Sequence, residues 1–231
     1  STVSEKQIQD HAGSLLDDPS NGAILDTGVT DTTAAFAAAT TKVEATYTTG
    51  TALHMHLEPV NALAFEKDGV MEIHTGNQWQ SLVLPWLATA LGMPEDKIVM
   101  RTYRLGGGFG RRLNGDYAVP AALAAKALGK PVKMVLTRED DTRMDSVRSP
   151  SVQRLRLAAD ADGKVTGMEQ HVAAGWPTQV MAPFFMPNGV NGVAYDPFAV
   201  SGADHWYTVG AHRVRAVSND LANSTFRPGW L

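Results

Sequence analysis

The sequence predicts an α+β fold of mixed sheets and packed helices, and three observations carry that expectation. Short runs of alternating or β-branched residues recur along the chain. Two pairs of these runs flank tight turns, at Glu66-Lys67-Asp68-Gly69 and Asp160-Ala161-Asp162-Gly163, as antiparallel hairpins do. Between the runs lie stretches whose apolar residues recur at helical spacing. At 231 residues, 44% hydrophobic and 19% charged, the chain has an ordinary globular composition and can bury a substantial core. No internal repeat or low-complexity linker divides it, so one domain is expected over residues 31–231, after a lead-in at 1–30.

Taken in order, Ser1 to Thr27 is polar, with Leu15-Leu16 and Ile24-Leu25 as its apolar pairs, and reads as irregular. Thr30 to Lys42 is alanine-rich behind an N-cap at Thr30 or Asp31 and reads as a short helix. Val43 to Thr49 reads as a strand. In the extended run Ala52 to Pro59, alternate spacing puts His54, His56 and Glu58 on one face, the residue types of a metal triad. Side chains at i and i+2 spread about 7 Å apart along a strand, so the preferred reading is polar residues near a site or an edge, and no metal ligand is assigned. Ala62 to Phe65 and Val70 to His74 form the first hairpin.

Gln78 to Leu91 reads as a helix despite Pro85, closed by Gly92, with Gln78 and Gln80 at its entrance as amide donors to a ligand or as caps. Lys97 to Tyr103 is a strand and Tyr117 to Leu128 a helix. Val132 to Leu136 is read as a short buried strand, and the charge run Thr137 to Arg143 as a solvated turn or short helix. Val152 to Ala159 and Val165 to Ala173 form the second hairpin. Gly175 to Asp204, rich in Gly, Pro, Phe and Met, suits a long ordered loop or an interface segment, and Arg213 to Val217 is the final strand.

The chemistry is concentrated between the strand ending at Tyr103 and the helix starting at Tyr117. Gly106-Gly107-Gly108-Phe109-Gly110 places four glycines in five positions, flanked by Arg104, Arg111 and Arg112. Such a loop has no side chains to keep a ligand off its backbone, and successive N–H groups can form an anion-binding concavity. The arginines would add charge and forked donors, the following helix its dipole, and Phe109 a projecting ring. The competing reading is a connection that merely lets two elements pack closely. A P-loop is excluded because Arg111-Arg112-Leu113, rather than Lys and Ser or Thr, follows the last glycine. The dinucleotide fingerprint fails because its third glycine falls at Arg111.

A net charge of −4 argues against general nucleic-acid binding. With no cysteine, the chain holds no disulfide, thiolate iron–sulfur ligand or cysteine nucleophile. No run reaches the roughly 18 consecutive apolar residues of a membrane helix. Without an initiator methionine or a signal-like opening, and with its last residues Arg227 to Leu231, the chain reads as an excised segment or processed product.

Several motifs occur in a recognisable order: His54-Met55-His56-Leu57-Glu58-Pro59, Thr75-Gly76-Asn77-Gln78, Leu91-Gly92-Met93-Pro94 and Gly106-Gly107-Gly108-Phe109-Gly110-Arg111-Arg112. Leu136-Thr137-Arg138-Glu139-Asp140 and Arg148-Ser149-Pro150 follow. In this register the chain resembles the molybdenum-cofactor subunit of the xanthine dehydrogenase and aldehyde oxidase family. The branch it is most similar to is the isoquinoline 1-oxidoreductase β-subunit, often named membrane-bound aldehyde dehydrogenase. The resemblance implies one part of the molybdopterin-binding region of a molybdenum hydroxylase, which oxidises an aldehyde or an N-heterocycle with water as oxygen source. The cofactor is molybdopterin, commonly as its cytosine dinucleotide.

Residue by residue, the resemblance makes Gln78 the glutamine that hydrogen-bonds a molybdenum oxo ligand. Gly106, Gly107, Gly108, Phe109, Gly110 and Arg111 become the cofactor-binding loop, and His54 and Glu58 structural support. The family's general base, a glutamate in a Gly-x-Gly-Glu segment, is absent here, so no catalytic residue is assigned and the isolated piece is expected to be inactive and to retain no cofactor. Expected partners are the rest of its own large subunit, an iron–sulfur subunit and a small aldehyde or N-heterocycle. Periplasm is preferred to cytoplasm as the compartment. Two alternatives stay open: a stand-alone module that captures a small anion at the glycine loop, and a subunit-interaction domain with Trp79, Trp86, Phe184, Phe185 and Trp206 at its interface.

Overall fold

The computed structural model describes residues 2–230. Its regular elements run α1 (Glu5–Asp17), β1 (Ala23–Ile24), α2 (Thr33–Ala38), β2 (Thr41–Thr49), β3 (Asn61–Lys67), β4 (Val70–Thr75), α3 (Gln80–Leu91) and β5 (Ile98–Thr102). They continue through α4 (Ala118–Leu128), β6 (Val132–Val135), α5 (Arg138–Arg143), β7 (Ser151–Ala159), β8 (Val165–Ala174), α6 (Pro177–Met181), β9 (Ala211–Ser218) and α7 (Asp220–Thr225). The expected α+β class holds, with two mixed sheets. The chain forms two compact units: residues up to Ala52 with Val147–Gly229, and Leu53–Ser146 with Trp230.

The first unit is built on a five-stranded sheet in the order β1-β9-β8-β7-β2. The β7–β8 hairpin turns where the sequence signals it: Asp160 accepts from the N–H groups of Asp162 and Lys164, and Gly163 takes a positive φ of 80°. β9 runs parallel to β8, with Met168 opposite His212 and Val172 opposite Ala216. One face is covered by residues of the 175–204 segment, where Trp176, Val200 and Ala203 bury Val172, Ala174, Val214 and Ala216. This segment is an ordered, mostly irregular cover, as its composition led us to expect.

The lead-in is not irregular. Ser4 and Gln7 form a capping box that starts α1, and such a cap stabilises a helix by about 1 kcal/mol. Ile8, Ala12 and Leu16 recur at four-residue spacing and are buried, and Ala12 and Leu16 pack on Val152, Ala173 and Val217.

The second unit carries a four-stranded sheet in the order β5-β4-β3-β6, with α3 and α4 packed on it. Asp68 and Gly69 both take positive φ, 53° and 75°, as the two-residue hairpin turn demands. α3 crosses over to place β5 parallel to β4. Ala118, Ala121, Ala122 and Ala125 of α4 are buried against Ala62, Ala64, Met71 and Ile73, and their small side chains let the helix approach the sheet closely. Gly92 and Gly129 end the two helices in the left-handed conformation. Two expectations need correcting here. β6 is an edge strand of alternating exposure, with Val135 at 56%, rather than a buried one. Residues 53–59 form no strand, because Met55 turns to a φ of +43° and breaks the extended run.

Candidate functional site

The loop that follows β5 is held from three sides within the second unit. Glu58 accepts from the Gly106 N–H through Oε2 at 2.9 Å, and its own N–H donates to the Gly106 carbonyl at 3.2 Å. Gln78 donates its N–H to the Arg112 carbonyl at 3.0 Å and accepts from the Arg112 N–H through Oε1 at 3.2 Å. Asn77 adds an Nδ2 bond to the Arg112 carbonyl at 2.7 Å and caps the Trp79 N–H with its Oδ1. Gly76, directly before this pair, offers its carbonyl to the buried Tyr117 hydroxyl at 2.6 Å. Burial pushes the Tyr117 phenol up, so it stays a neutral donor.

The glycines are demanded by space as much as by torsion. A Cβ on Gly108 would sit inside van der Waals contact with Gln78 Oε1 and 2.9 Å from its Cδ. On Gly106 it would meet Glu58 Cβ at 2.6 Å, and on Gly107, whose φ is +96°, it would crowd His56 Cβ and the Phe109 ring at 3.2 Å. Phe109 itself takes a left-handed φ of 50°, costly for a bulky residue, and its ring stands 61% exposed. Among the described residues, no acceptor bonds the N–H groups of Gly107, Gly108, Phe109 or Gly110, while the Arg111 N–H turns back to the Gly108 carbonyl at 2.8 Å. The loop thus holds four successive N–H groups with no acceptor among the described residues, two of them on the buried Gly108 and Gly110, beside one projecting ring. The Gln78 Nε2 makes no hydrogen bond within the described residues either, and Gln78 is exposed at the same rim.

The flanking arginines behave differently from the expectation. Arg111 and Arg112 have no exposed surface, and neither guanidinium is offered to a ligand. Arg112 donates Nε to the Gly107 carbonyl at 3.0 Å and one terminal nitrogen to both the Glu58 carbonyl and Glu58 Oε2 at 2.8 Å. Arg111 pairs with Asp116 at 2.6 Å, lies 3.1 Å from Asp145, and reaches the Met144 carbonyl. A guanidinium this deep is stable only with such partners, which is why each meets a carboxylate. The guanidinium of Arg111 thus braces the loop from inside. Arg104 alone of the three stays exposed. Burial works to raise the Glu58 carboxyl, but the Gly106 N–H, the Asn61 amide and Arg112 outweigh it and hold its pKa low.

The His54-x-His56-x-Glu58 pattern does not converge on a metal, and no group of three His, Asp or Glu side chains does so among the described residues. His54 is buried with Nδ1 2.8 Å from Asp145 and Nε2 2.9 Å from the Trp230 carbonyl. His56 is buried behind Gly107, with Nε2 3.3 Å from Asp141 Oδ2 but out of hydrogen-bond alignment, and burial lowers its pKa. Gln80, the second amide singled out, is tied to Thr102 and is not free for a ligand. The charge run 137–143 forms a short helix capped by Thr137, but Asp141 on it is buried and holds Arg138 at 2.9 Å.

Sequence reasoning missed Arg112 as the hub, Asp141 and Asp145 as buried counter-charges, and Asn77 as the clamp beside Gln78. The local signal for Asn77 lay in the Thr75-Gly76-Asn77-Gln78 motif. The carboxylates carried none, because their partners lie far away in sequence.

The molybdopterin cofactor-binding domain model matches residues 16–201. The chain is 60% identical to the membrane-bound aldehyde dehydrogenase [pyrroloquinoline-quinone] of Gluconacetobacter polyoxogenes, over 99% of this chain and 30% of that protein. It is 35% identical to the aldehyde oxidoreductase molybdenum-binding subunit PaoC of Escherichia coli K12, over 65% of this chain and 21% of that protein. Among solved structures, aldehyde oxidoreductase from Desulfovibrio gigas superposes with a TM-score of 0.69 at 24% identity, covering 92% of this chain and 22% of that one. At that identity the likeness is one of fold. The chain thus spans less than a third of the length of these relatives.

Proposed function

The chain belongs to the molybdopterin cofactor-binding domain family, and we propose that it is the part of a larger molybdenum hydroxylase that seats the cofactor through its glycine loop. The reading rests on one observation: the four unclaimed N–H groups of Gly107–Gly110 beside the exposed Gln78 amide. An oxoanion-bearing ligand fits such a donor row, and the absence of Cβ atoms at 106–108 leaves its backbone open to close approach. Gln78, Gly106, Gly107, Gly108, Phe109 and Gly110 are the proposed contacts, with Glu58, Asn77, Arg111 and Arg112 holding them in place. When bound, the molybdenum cofactor supplies the two-electron redox chemistry. The chain's own residues orient it, exclude water from the loop's underside, and aim the Gln78 donor where negative charge collects.

The proposed overall reaction converts an aldehyde, or the carbon beside nitrogen in an N-heterocycle, with water to the oxygenated product, two protons and two electrons. The electrons leave to an iron–sulfur partner. The relatives named as aldehyde dehydrogenase and aldehyde oxidoreductase favour the aldehyde. No residue of this chain is assigned as general base. The cytosine dinucleotide form of the cofactor and a periplasmic location are further parts of the proposal.

One relative carries pyrroloquinoline quinone in its name, which makes a quinone the competing cofactor. Metal analysis of the full-length protein decides between them. Near-stoichiometric molybdenum, lost in Gly108→Val, supports the proposal. A bound quinone without molybdenum, or molybdenum unchanged in Gly108→Val, refutes it.

A further inference from the structure

Behind the glycine loop, within the second unit, lies a buried titratable ring that the proposed function leaves unused. His56 is 1% exposed, and both of its ring nitrogens are buried with no hydrogen-bond partner among the described residues. Gly107 packs on it: a Cβ there would stand 3.2 Å from the His56 Cβ and 3.7 Å from its Cα. The His56 Nε2 is 3.3 Å from Asp141 Oδ2. That same oxygen accepts from Arg138 at 2.9 Å, and the other terminal nitrogen of Arg138 holds the Leu57 carbonyl at 2.8 Å. Leu57 leads directly into Glu58, whose N–H and carboxylate both clamp Gly106. The ring is thus linked to the loop directly, through Gly107, and to the loop's clamp, through Asp141 and Arg138.

We propose that His56 is a positioning residue for the glycine loop, which stays closed only over an uncharged imidazole and unlatches when that ring takes up a proton. The surrounding charges set the direction. Asp141 and Asp145 favour an imidazolium, Arg112 and Arg138 oppose it, and removal from water opposes it most. Both carboxylates are already engaged, Asp141 with Arg138 and Asp145 with His54 and Arg111. A proton on His56 would add a second buried cation beside Arg112, the fork that fixes Gly107 and Glu58, and would compete with Arg138 for Asp141 Oδ2. Lifting the loop admits water to the ring and relieves both conflicts.

Linkage gives the sign. Burial, above all, pushes the pKa of the enclosed His56 below its ordinary 6.5, to which it returns when the loop lifts. The open form therefore binds the extra proton in the interval between these values. Closure is complete above about pH 6.5 and is lost progressively as the pH falls, by at most about tenfold per pH unit for one proton. Glu58, the titratable part of the clamp, is held below its ordinary 4.5 and so loosens the loop only at lower pH.

That the loop seats the molybdenum cofactor rests on the function proposed above; the test of the latch reads the loop itself. Amide hydrogen exchange is followed on full-length protein from about pH 7.5 to about pH 5.5, with the intrinsic pH dependence of exchange divided out. We expect the hydrogen-bonded amides of Gly106, Arg111 and Arg112 to open about three- to tenfold more often at the acid end, while those of α4 hold constant. The slope disappears in His56→Gln and in His56→Phe, neither of which titrates, and persists in Glu58→Gln; circular dichroism verifies each fold first. The wild-type profile against α4 decides even where a variant fails to fold. A slope under about twofold, exchange that slows in acid, a slope shared by α4, or one that survives in both His56 variants overturns the proposal. Molybdenum content is measured separately: a protein that shows the slope yet holds no molybdenum refutes the cofactor reading and supports the latch.

Discussion

Replacing Arg112 by lysine is the sharpest probe of how the glycine loop is held. The guanidinium makes three good bonds, to the Gly107 carbonyl at 3.0 Å and to the carbonyl and carboxylate of Glu58 at 2.8 Å, from a position with no exposed surface. A lysine ammonium keeps the charge but cannot span both sides of this fork. It satisfies one or two of these acceptors and leaves the rest, at about 1–3 kcal/mol for each buried group left unpaired. The Glu58 carboxylate is 41% exposed and can turn to water, so its share is discounted. The sum is about 2–4 kcal/mol of local stability, or roughly a 30- to 900-fold rise in the opening of the loop.

Amide hydrogen exchange on full-length protein measures that opening directly. The hydrogen-bonded amides of Gly106, Arg111 and Arg112 should exchange faster by this factor while those of α4 and β3 stay unchanged. Glu58→Gln, which keeps an acceptor, should cost about 1 kcal/mol or less. Exchange in Arg112→Lys within threefold of wild type would refute the view that this buried fork sets the loop's shape.

Three further outcomes follow from the same geometry. Gln78→Glu keeps the acceptor toward the Arg112 N–H but loses the outward donor, so turnover should fall by about 10²–10³ with the fold intact; steady-state kinetics with circular dichroism test this. Phe109→Gly removes a left-handed strain of about 1 kcal/mol while deleting the projecting ring, so the loop should open less often as KM for substrate rises at constant molybdenum content. In the first unit, burial and then Arg215 push His171 from 6.5 down to about 4. The unfolded chain therefore binds the extra proton between those values. Stability is complete above about pH 6.5 and declines toward pH 4, by at most about 3 kcal/mol. His171→Leu should flatten that slope in thermal unfolding followed at several pH values, and an unchanged slope would count against the burial argument.

What the sequence made legible follows from how local each signal is. The Asp68-Gly69 turn, the Gly92 cap and the bare run at 106–110 announce themselves within a few residues, and each lies where it was expected. Phe109 projects from its loop because no neighbouring side chain can cover it. Several misreadings concern residues whose role is set from a distance. Arg111 and Arg112 look like ligand-binding charges until Asp116, Asp145 and Glu58 are seen to neutralise them. His56, for which a metal triad was the less favoured reading, is buried beside Asp141 where Met55 turns the chain. The helix at Glu5–Asp17 was hidden because its buried stripe of Ile8, Ala12 and Leu16 contains one strong hydrophobe per turn at most.

The buried arginines also change what would attract a cofactor to the proposed site. If Arg111 and Arg112 faced the ligand, the site would work by net charge and weaken steeply with salt. Their carboxylate partners cancel that charge inside the protein, so in the proposed site attraction falls to the backbone dipoles of Gly107–Gly110 and the Gln78 amide. Dipoles act over a short range and only in a fixed orientation, which places the whole demand on loop geometry. That is the physical reason for spending two buried ion-pair networks on a stretch of only five residues: the charges serve to hold the donors still. A site of this kind tolerates salt but not a misplaced Cβ, and Gly108, pressed against Gln78, is where that intolerance is greatest.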